Sequence, residues 1–346
     1  MTISSFKKNR SIDFLLLLTL FCFLWILFAF NTENPDRENY VTFYKTLKKI
    51  SYWSGLEPGF VLFIKICHKL NFSYQNFLTL YSFLGLSFLF NFILRYSKKP
   101  VTVATLFVLY PYFFQIVQIR FFFASCISIW GFHFLIDKKK WHNLKFIFTI
   151  LCACLFHISS LMYFLFLLGN FEYRKILKGI VFIVISIILV EFVGFSIMKK
   201  FIPKLSHYLE EGIGGTRFAT KFFFIFYYFI KIHISMFLKK RIPKKNNFSD
   251  FSIKASLISV CFFPLICQSM DFQRLEQTSI ILFYILAINQ FSYRKNVYKR
   301  NSNFHLAEYY ATIFYLFITI FILEFAFSFE QVRQIFLNNN FWSVIL

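Results

Sequence analysis

From Pro100 to Ile136 the chain reads PVTVATLFVLYPYFFQIVQIRFFFASCISIWGFHFLI, and its only charged side chain is Arg120. As a single helix this stretch would run roughly 55 Å at 1.5 Å per residue, against a hydrocarbon core of ~30 Å. It therefore reads as two membrane spans joined by a very short turn at Arg120. A guanidinium is not left bare in lipid, so Arg120 must face water, a polar cavity or an anion. An arginine held where two spans meet is a candidate functional residue. The plainer alternative is an interfacial anchor whose head snorkels toward the lipid headgroups.

The rest of the composition agrees. The chain is 58% hydrophobic with 56 Phe, and its mean hydropathy is +0.59. That much apolar surface belongs in lipid. Only helices and closed barrels satisfy the backbone there, and long apolar runs without alternation exclude a barrel. The expected fold is all-α: one polytopic membrane domain over residues 1–346. Apolar runs fall at about 12–30, 76–95, 101–118, 121–136, 144–168, 178–198, 221–238, 253–270, 278–292 and 308–328, which predicts ten spans. A further run at 57–70 is short and contains Lys65, so it is either an eleventh span or a re-entrant or tilted helix. The longest non-membrane loops are expected at 31–56 and 199–220. The run 12–30 follows Lys7, Lys8 and Arg10 without a small-residue cleavage site, and reads as a retained first span.

The net charge of +22 is spread in short clusters between the apolar runs: Lys98-Lys99, Lys138–Lys140, Lys199-Lys200, Lys239–Arg241 with Lys244-Lys245, and Arg294-Lys295 with Lys299-Arg300. Such spacing anchors helix ends and meets lipid phosphates; it does not point to nucleic acid. The basic N-terminus is expected in the cytoplasm. Eleven crossings then place 95–99 and 138–140 outside, and omitting 57–70 reverses the conflict, so charge does not choose between the two counts. The seven cysteines all lie inside apolar runs and read as packing residues. There is no zinc-type spacing, no HExxH and no phosphate-cradling glycine loop, so no metal or cofactor is expected.

Several polar residues interrupt the lipid-compatible runs. His157 is expected mid-span in the 144–168 run beside Ser159 and Ser160, where an imidazole either serves chemistry or is satisfied by a neighbouring helix. The loop 31–56 and the residue after it supply Glu33, Asp36, Glu38 and Glu57 together with Tyr40, Tyr44, Tyr52 and Trp53. Rings beside carboxylates suit sugars, and they also make an interfacial belt. Glu57-Pro58-Gly59-Phe60 sets a carboxylate before a helix that opens with proline. Gln268, Asp271, Arg274 and Glu276 fall between two late runs; Asp271 and Arg274 are spaced to pair on one helical face, either at a site or at a helix end. Glu191 and Glu324, within spans, keep an ion-coupled transporter reading open.

Four elements, in this order, resemble the EpsG-like branch of the Wzy-type bacterial polysaccharide polymerases: Asp36-x3-Tyr40, Glu57-Pro-Gly-Phe60, Gln118-Ile-Arg120 with Ala124, and Phe156-His157-x-Ser159. They occupy residues 31–161. The family pattern usually has Gln after the arginine and Ala after the serine, where this chain has Phe121 and Ser160. The resemblance implies a GT-C-like helical enzyme of the bacterial plasma membrane that joins repeat units carried on undecaprenyl pyrophosphate at the outer face. Donor and acceptor would both be lipid-linked glycans, with a chain-length regulator and a flippase of the same pathway as candidate partners. Arg120 would stabilise the departing pyrophosphate, supported by Arg274. The base acting on the acceptor hydroxyl would be Glu57, Asp36 or His157. Tyr40, Gln118, Ser159 and Asp271 would bind substrate beside them. The alternative is a transporter or flippase of the same lipid-linked sugars.

Overall fold

A computed structural model describes residues 3–47, 56–193, 218–239, 246–297, 314 and 327–341. The regular structure among these residues is helical, apart from one isolated bridge between Asn31 and Asn339. Six helical stretches are long and apolar enough to cross a membrane: Ile12–Ala29, Tyr74–Tyr96, Pro100–Val117, Ile119–Asp137, Thr220–Leu238 and Asn247–Gln268. The chain is an all-α, multi-pass membrane protein. The run 308–328 and the loop 199–220 lie almost wholly outside the described residues, as do Tyr52 and Trp53.

α1 (Ile3–Ala29) leads to α2 (Arg37–Leu47) and α3 (Pro58–Lys69), and these to α4 (Tyr74–Tyr96). The last turn of α1 meets the first turns of α4: Gln75 donates to the Ala29 carbonyl at 2.6 Å, and the Trp25 indole to the Thr79 carbonyl at 2.9 Å. The chain is therefore back where α1 left it, and α2 and α3 stay at that end, here called the upper end. Tyr44 of α2 donates to the Phe72 carbonyl beyond α3 at 2.7 Å, which ties the pair together. The run 57–70 does not cross, and the expected loop 31–56 contains a helix.

α5 (Pro100–Phe107) and α6 (Phe113–Val117) climb from the lower end as one broken span. The break lies at Tyr110-Pro111, where Tyr110 is extended (φ −166°, ψ 129°). Proline lacks the helical donor and disfavours helical backbone in the residue before it. Gln118 (φ −100°, ψ 65°) separates α6 from α7 (Ile119–Asp137), so the expected turn falls two residues before Arg120. Arg120 sits in the first turn of α7. At the lower end Asp137 pairs with Arg95 and accepts from the Tyr96 hydroxyl at 2.8 Å.

The run 144–168, expected as one span, is a hairpin. α8 (His142–Cys154) rises, the chain reverses at Leu155–His157, and a 3-10 helix, Ile158–Asn170, returns. Each arm has thirteen residues, ~20 Å of α-helix and ~26 Å of the tighter 3-10 form. Asn170 donates to the Asn143 side chain at 2.9 Å, closing the base. Phe132 of α7 touches Phe146 on one arm and Phe166 on the other, with ring centroids 6.1 and 5.0 Å away. His157 is thus at the tip of a hairpin and not in the middle of a span.

α9 (Tyr173–Val193) starts at the lower end, where the Tyr173 hydroxyl donates to Asp250 at 3.0 Å. α10 (Phe218–Lys239) descends beside an ascending stretch made of α11 (Asn247–Ile258), a 3-10 turn and α12 (Phe263–Gln268). The match is antiparallel: Tyr228 faces Phe263 at 6.0 Å and Lys231 reaches Ser259 at 2.9 Å. α13 (Gln273–Val297) descends to Asn289, whose amide donates to the Tyr96 carbonyl at 2.7 Å. α14 (Phe327–Leu337) ends at the upper end, where Asn339 donates to the Leu27 carbonyl at 3.1 Å.

This topology removes the charge conflict. Both counts had treated 144–168 as a crossing. With the hairpin and 57–70 taken out, Lys98-Lys99, Lys138–Lys140, Arg174, Lys175 and Lys239 all fall at the lower end. A cluster of one sign at one end is what the positive-inside bias produces. Cys67, Cys126 and Cys261 are buried, and every described cysteine is a free thiol, in keeping with a packing role.

One contact holds the hairpin tip. The Leu155 carbonyl accepts from the backbone N–H of Gly59 at 2.7 Å and of Phe60 at 3.3 Å. Helix N-termini leave such donors free, and their partial positive charge suits a carbonyl. A Cβ on Gly59 would lie 2.7 Å from the Leu155 Cβ and 2.8 Å from its oxygen, so only glycine admits the tip.

Two outcomes follow for measurement. In a background without native cysteines, single cysteines at Lys140 and Glu172 should react with an impermeant thiol reagent from the same side, and one at Glu38 from the opposite side. Labelling of Lys140 and Glu172 from different sides would contradict the hairpin. Gly59→Ala should cost roughly 1–3 kcal/mol by overpacking and lower the thermal midpoint in detergent.

Candidate active site

Arg120 is fixed from three directions. α7 carries it in a first turn, where the break at Gln118 turns its side chain toward α2 and α3. Glu57, immediately before Pro58, pairs with its Nη1, and the Tyr40 ring lies 5.9 Å from the guanidinium carbon. Glu57 makes no capping hydrogen bond of its own, which leaves its carboxylate for the arginine. Both partners keep some exposure, 24% for Arg120 and 14% for Glu57, so the pair lines a surface and is not sealed in the core. Tyr40 is positioned by Phe60, ring to ring at 6.1 Å, and Phe60 itself is fully buried against Phe77 and Tyr81. The Glu57-Pro58-Gly59-Phe60 motif therefore does four jobs: it pairs the arginine, starts the helix, admits the hairpin tip and anchors Tyr40.

Asp36 stands just before α2, half-buried, with its backbone carbonyl accepting from Tyr40 N–H at 3.1 Å. Burial pushes its carboxyl above the usual value of 3.8; Arg120 and Arg274 oppose the rise, and Asp271 adds to it. Tyr40 is also pushed upward by burial, again with Arg120 opposing. Two arginines from different parts of the chain thus act on one carboxyl. Arg274, at the start of α13, donates through Nε to the Asp271 carbonyl at 2.5 Å, and its Nη2 lies 3.3 Å from the Asp271 carboxylate. The expected Asp271–Arg274 pair is present, with Asp271 half-exposed and Arg274 largely covered.

His157 completes the cluster from the hairpin tip. Its Nδ1 accepts from the Ser159 N–H at 3.3 Å and lies 2.7 Å from the Ser159 hydroxyl. A backbone N–H can only donate, so Nδ1 is unprotonated and Nε2 carries the proton. His157 caps the 3-10 helix with one nitrogen and presents the other as a donor. Arg274 and Arg120 are both within electrostatic reach of the ring, and Phe121 packs against it at 5.6 Å. Ser159 serves by orienting the histidine.

Some of the buried side-chain atoms without a partner lie along α6, the Gln118 break and the hairpin, and others lie on α4, α10, α11 and α13. Among the described residues the first group includes Gln118 Oε1, Arg120 Nε, both amide atoms of Gln115, and Ser160 Oγ. Such orphans are rare in folded proteins unless water or a ligand meets them.

Other residues singled out in the sequence lie elsewhere. Tyr44 bonds the Phe72 carbonyl and stacks near His68, and Glu33 bonds Asn338, both in structural roles. Glu38 is exposed on α2. Glu324 and the side chain of Glu191 lie outside the described residues. Sequence reading passed over Lys231, although it is the only charge inside the 221–238 run beyond its first residue, Lys221. It pairs with Glu276, both side chains being 1% exposed, and Tyr227 and Tyr228 donate to the same carboxylate at 3.1 and 3.2 Å. This network binds α10 to α13 just below Arg274. A buried pair of this kind fixes register more than it adds stability.

The chain matches the family model described as the EpsG family over residues 14–336, nearly its whole length. No curated protein and no solved structure matches it. The motifs at Asp36, Glu57, Arg120 and His157 that carried the resemblance meet in space at one end of a polytopic helical fold, and the chain belongs to the EpsG family, a Wzy-like polymerase family.

Proposed function

We propose that this protein is a polymerase that joins undecaprenyl-pyrophosphate-linked oligosaccharide repeat units at the outer face of the bacterial plasma membrane. The observation that carries this reading is the convergence of Arg120, Arg274, Asp36 and His157 at the upper end. Family membership points to polysaccharide polymerisation in general. The clusters Lys98-Lys99, Lys138–Lys140 and Arg174-Lys175 lie at the lower end, and the positive-inside bias supports reading that end as cytoplasmic and the upper end as external.

The chemistry follows from the charges. The acceptor hydroxyl attacks the anomeric carbon of the donor glycan. The bond from that carbon to the pyrophosphate oxygen breaks, and the lipid pyrophosphate leaves with its electron pair. Arg120, held by Glu57, and Arg274, held by Asp271, stabilise the charge that develops on the leaving group. Asp36 takes the hydroxyl proton; a carboxyl raised above its ordinary range is the better base. His157 donates its Nε2–H to a phosphate or sugar oxygen. Glu57 is a positioning residue, since its carboxylate is committed to Arg120.

In a deletion strain complemented with variants, Arg120→Ala should lower polymer by about 100-fold or more while single repeat units are still displayed. Arg120→Lys should recover only part, lacking the planar fork. Glu57→Gln should cost roughly 10-fold to 100-fold by misplacing the arginine. Full-length polymer from well-inserted Arg120→Ala would overturn the assignment, and loss of all displayed glycan would indicate a flippase.

Asp36 gives a separate test. With its pKa raised, the folded protein holds a proton that the unfolded chain has lost, so stability contributed by this group falls as pH rises above 3.8. Asp36→Asn should therefore raise the thermal midpoint at neutral pH while abolishing polymer. In the wild type, the acid limb of synthesis should lie above the ordinary aspartate range. An Asp36→Asn protein that keeps its polymerising activity removes Asp36 as the base.

A further inference from the structure

We infer that the lower end carries a built site for an anionic glycerophospholipid, its phosphate held by the connection between α7 and α8 and one acyl chain lying between α4, α7 and α8. Two cavities make up the site. The first, about 130 Å³, is lined by Arg95, Lys139, Lys140, Lys145 and His142 with Asp137. Asp137 is already engaged by Arg95 and Tyr96. Lys139, Lys140 and Lys145 make no ion pair among the described residues, so the pocket holds three lysines beyond the one arginine that its single carboxylate pairs with. The connection itself is shaped for this: Lys138 and Trp141 both adopt left-handed backbone, φ 50° and 62°, which turns the chain sharply and gathers the lysines on one side. Trp141 is 61% exposed beside Lys140, the arrangement of an interfacial anchor.

The second cavity, about 540 Å³, is an apolar groove lined by Phe88, Trp130, Phe134, Leu144 and Phe148, among others. Phe134 and Lys145 line both cavities, so the basic pocket adjoins the groove. The groove follows α8 from Leu144 to Cys152, about 12 Å at 1.5 Å per residue. Its α8 wall is open to the lipid, with Phe148 69% and Leu144 56% exposed. A phosphate beside Lys145 therefore has an apolar channel starting at the same side chain. Neither an inorganic ion nor a soluble phosphometabolite uses that channel, whereas a lipid occupies both parts. The site is at the end opposite Arg120, so its occupant is separate from any lipid pyrophosphate held there. A bilayer phospholipid with a net negative headgroup has the matching charge, and anionic lipid is attracted to lysines near the surface.

The test uses the full-length protein in detergent, titrated with short-chain phosphatidylglycerol, with phosphatidylcholine of the same chain length, and with glycerol 3-phosphate. Phosphatidylglycerol should raise the thermal midpoint saturably, and the other two should not. Lys139→Gln, Lys140→Gln and Lys145→Gln should each weaken that response about five-fold. Phe148→Ser should weaken it without altering the charge, while Lys178→Gln, an exposed lysine at the same end, should leave it unchanged. Equal stabilisation by phosphatidylcholine, or by glycerol 3-phosphate, would overturn the proposal. So would an equal loss in Lys178→Gln, which would mean bulk electrostatics. None of these readouts depends on polymer synthesis, so failure here leaves the reading of the Arg120 site untouched, and the converse holds.

Discussion

The architecture depends on one carbonyl. Leu155, at the turn of a hairpin inserted from the lysine-rich end, offers its oxygen to the two free N–H groups that open α3 at the other end. A turn in lipid exposes backbone groups that water cannot satisfy, and each unsatisfied group costs several kcal/mol. The α3 terminus has the opposite deficit, donors without acceptors. The two deficits cancel, and the cancellation joins the elements that carry Glu57 and His157. Gly59 is the residue that lets the backbones approach closely enough.

Around that contact, the charged residues are arranged in depth. Arg120 with Glu57 and Arg274 with Asp271 are each partly exposed, so both cations keep hydrogen-bonding capacity for an anion. Lys231 with Glu276 is closed off and further supplied by two tyrosines and Ser259. Full satisfaction makes the deeper pair a structural tie between α10 and α13. The upper pairs are less completely satisfied, with orphaned neighbours at Gln118 Oε1 and Arg120 Nε, and this is the difference on which the proposed ligand site rests.

Much of this was legible in the sequence. Length against bilayer thickness split 100–136 into two spans, and the break falls within two residues of the expected place because a guanidinium cannot sit mid-bilayer. The Asp271–Arg274 pair follows from helical spacing, and the order of the four motifs led to the family. What hydropathy could not show is whether an apolar run crosses or returns. Residues 144–168 are apolar throughout, and the reversal at Leu155–His157 is set by a tertiary partner about a hundred residues earlier in the chain. Composition also gave no sign that the loop 31–56 contains a helix, because α2 is mostly polar and is held by tertiary contacts with α3. Lys231 was readable as a lone charge in an aromatic run, but its partner on α13 was not.

The hairpin also constrains how the chain enters the bilayer. Each arm is thirteen residues long, less than the ~20 apolar residues a helix needs to span on its own. Neither arm can be threaded and released as an independent segment, so the two must go in together. By then α3 has already emerged from the ribosome, and its N-terminal donors are waiting at the far interface. Insertion order, set by nothing more than position along the chain, places the receptor for the tip before the tip arrives.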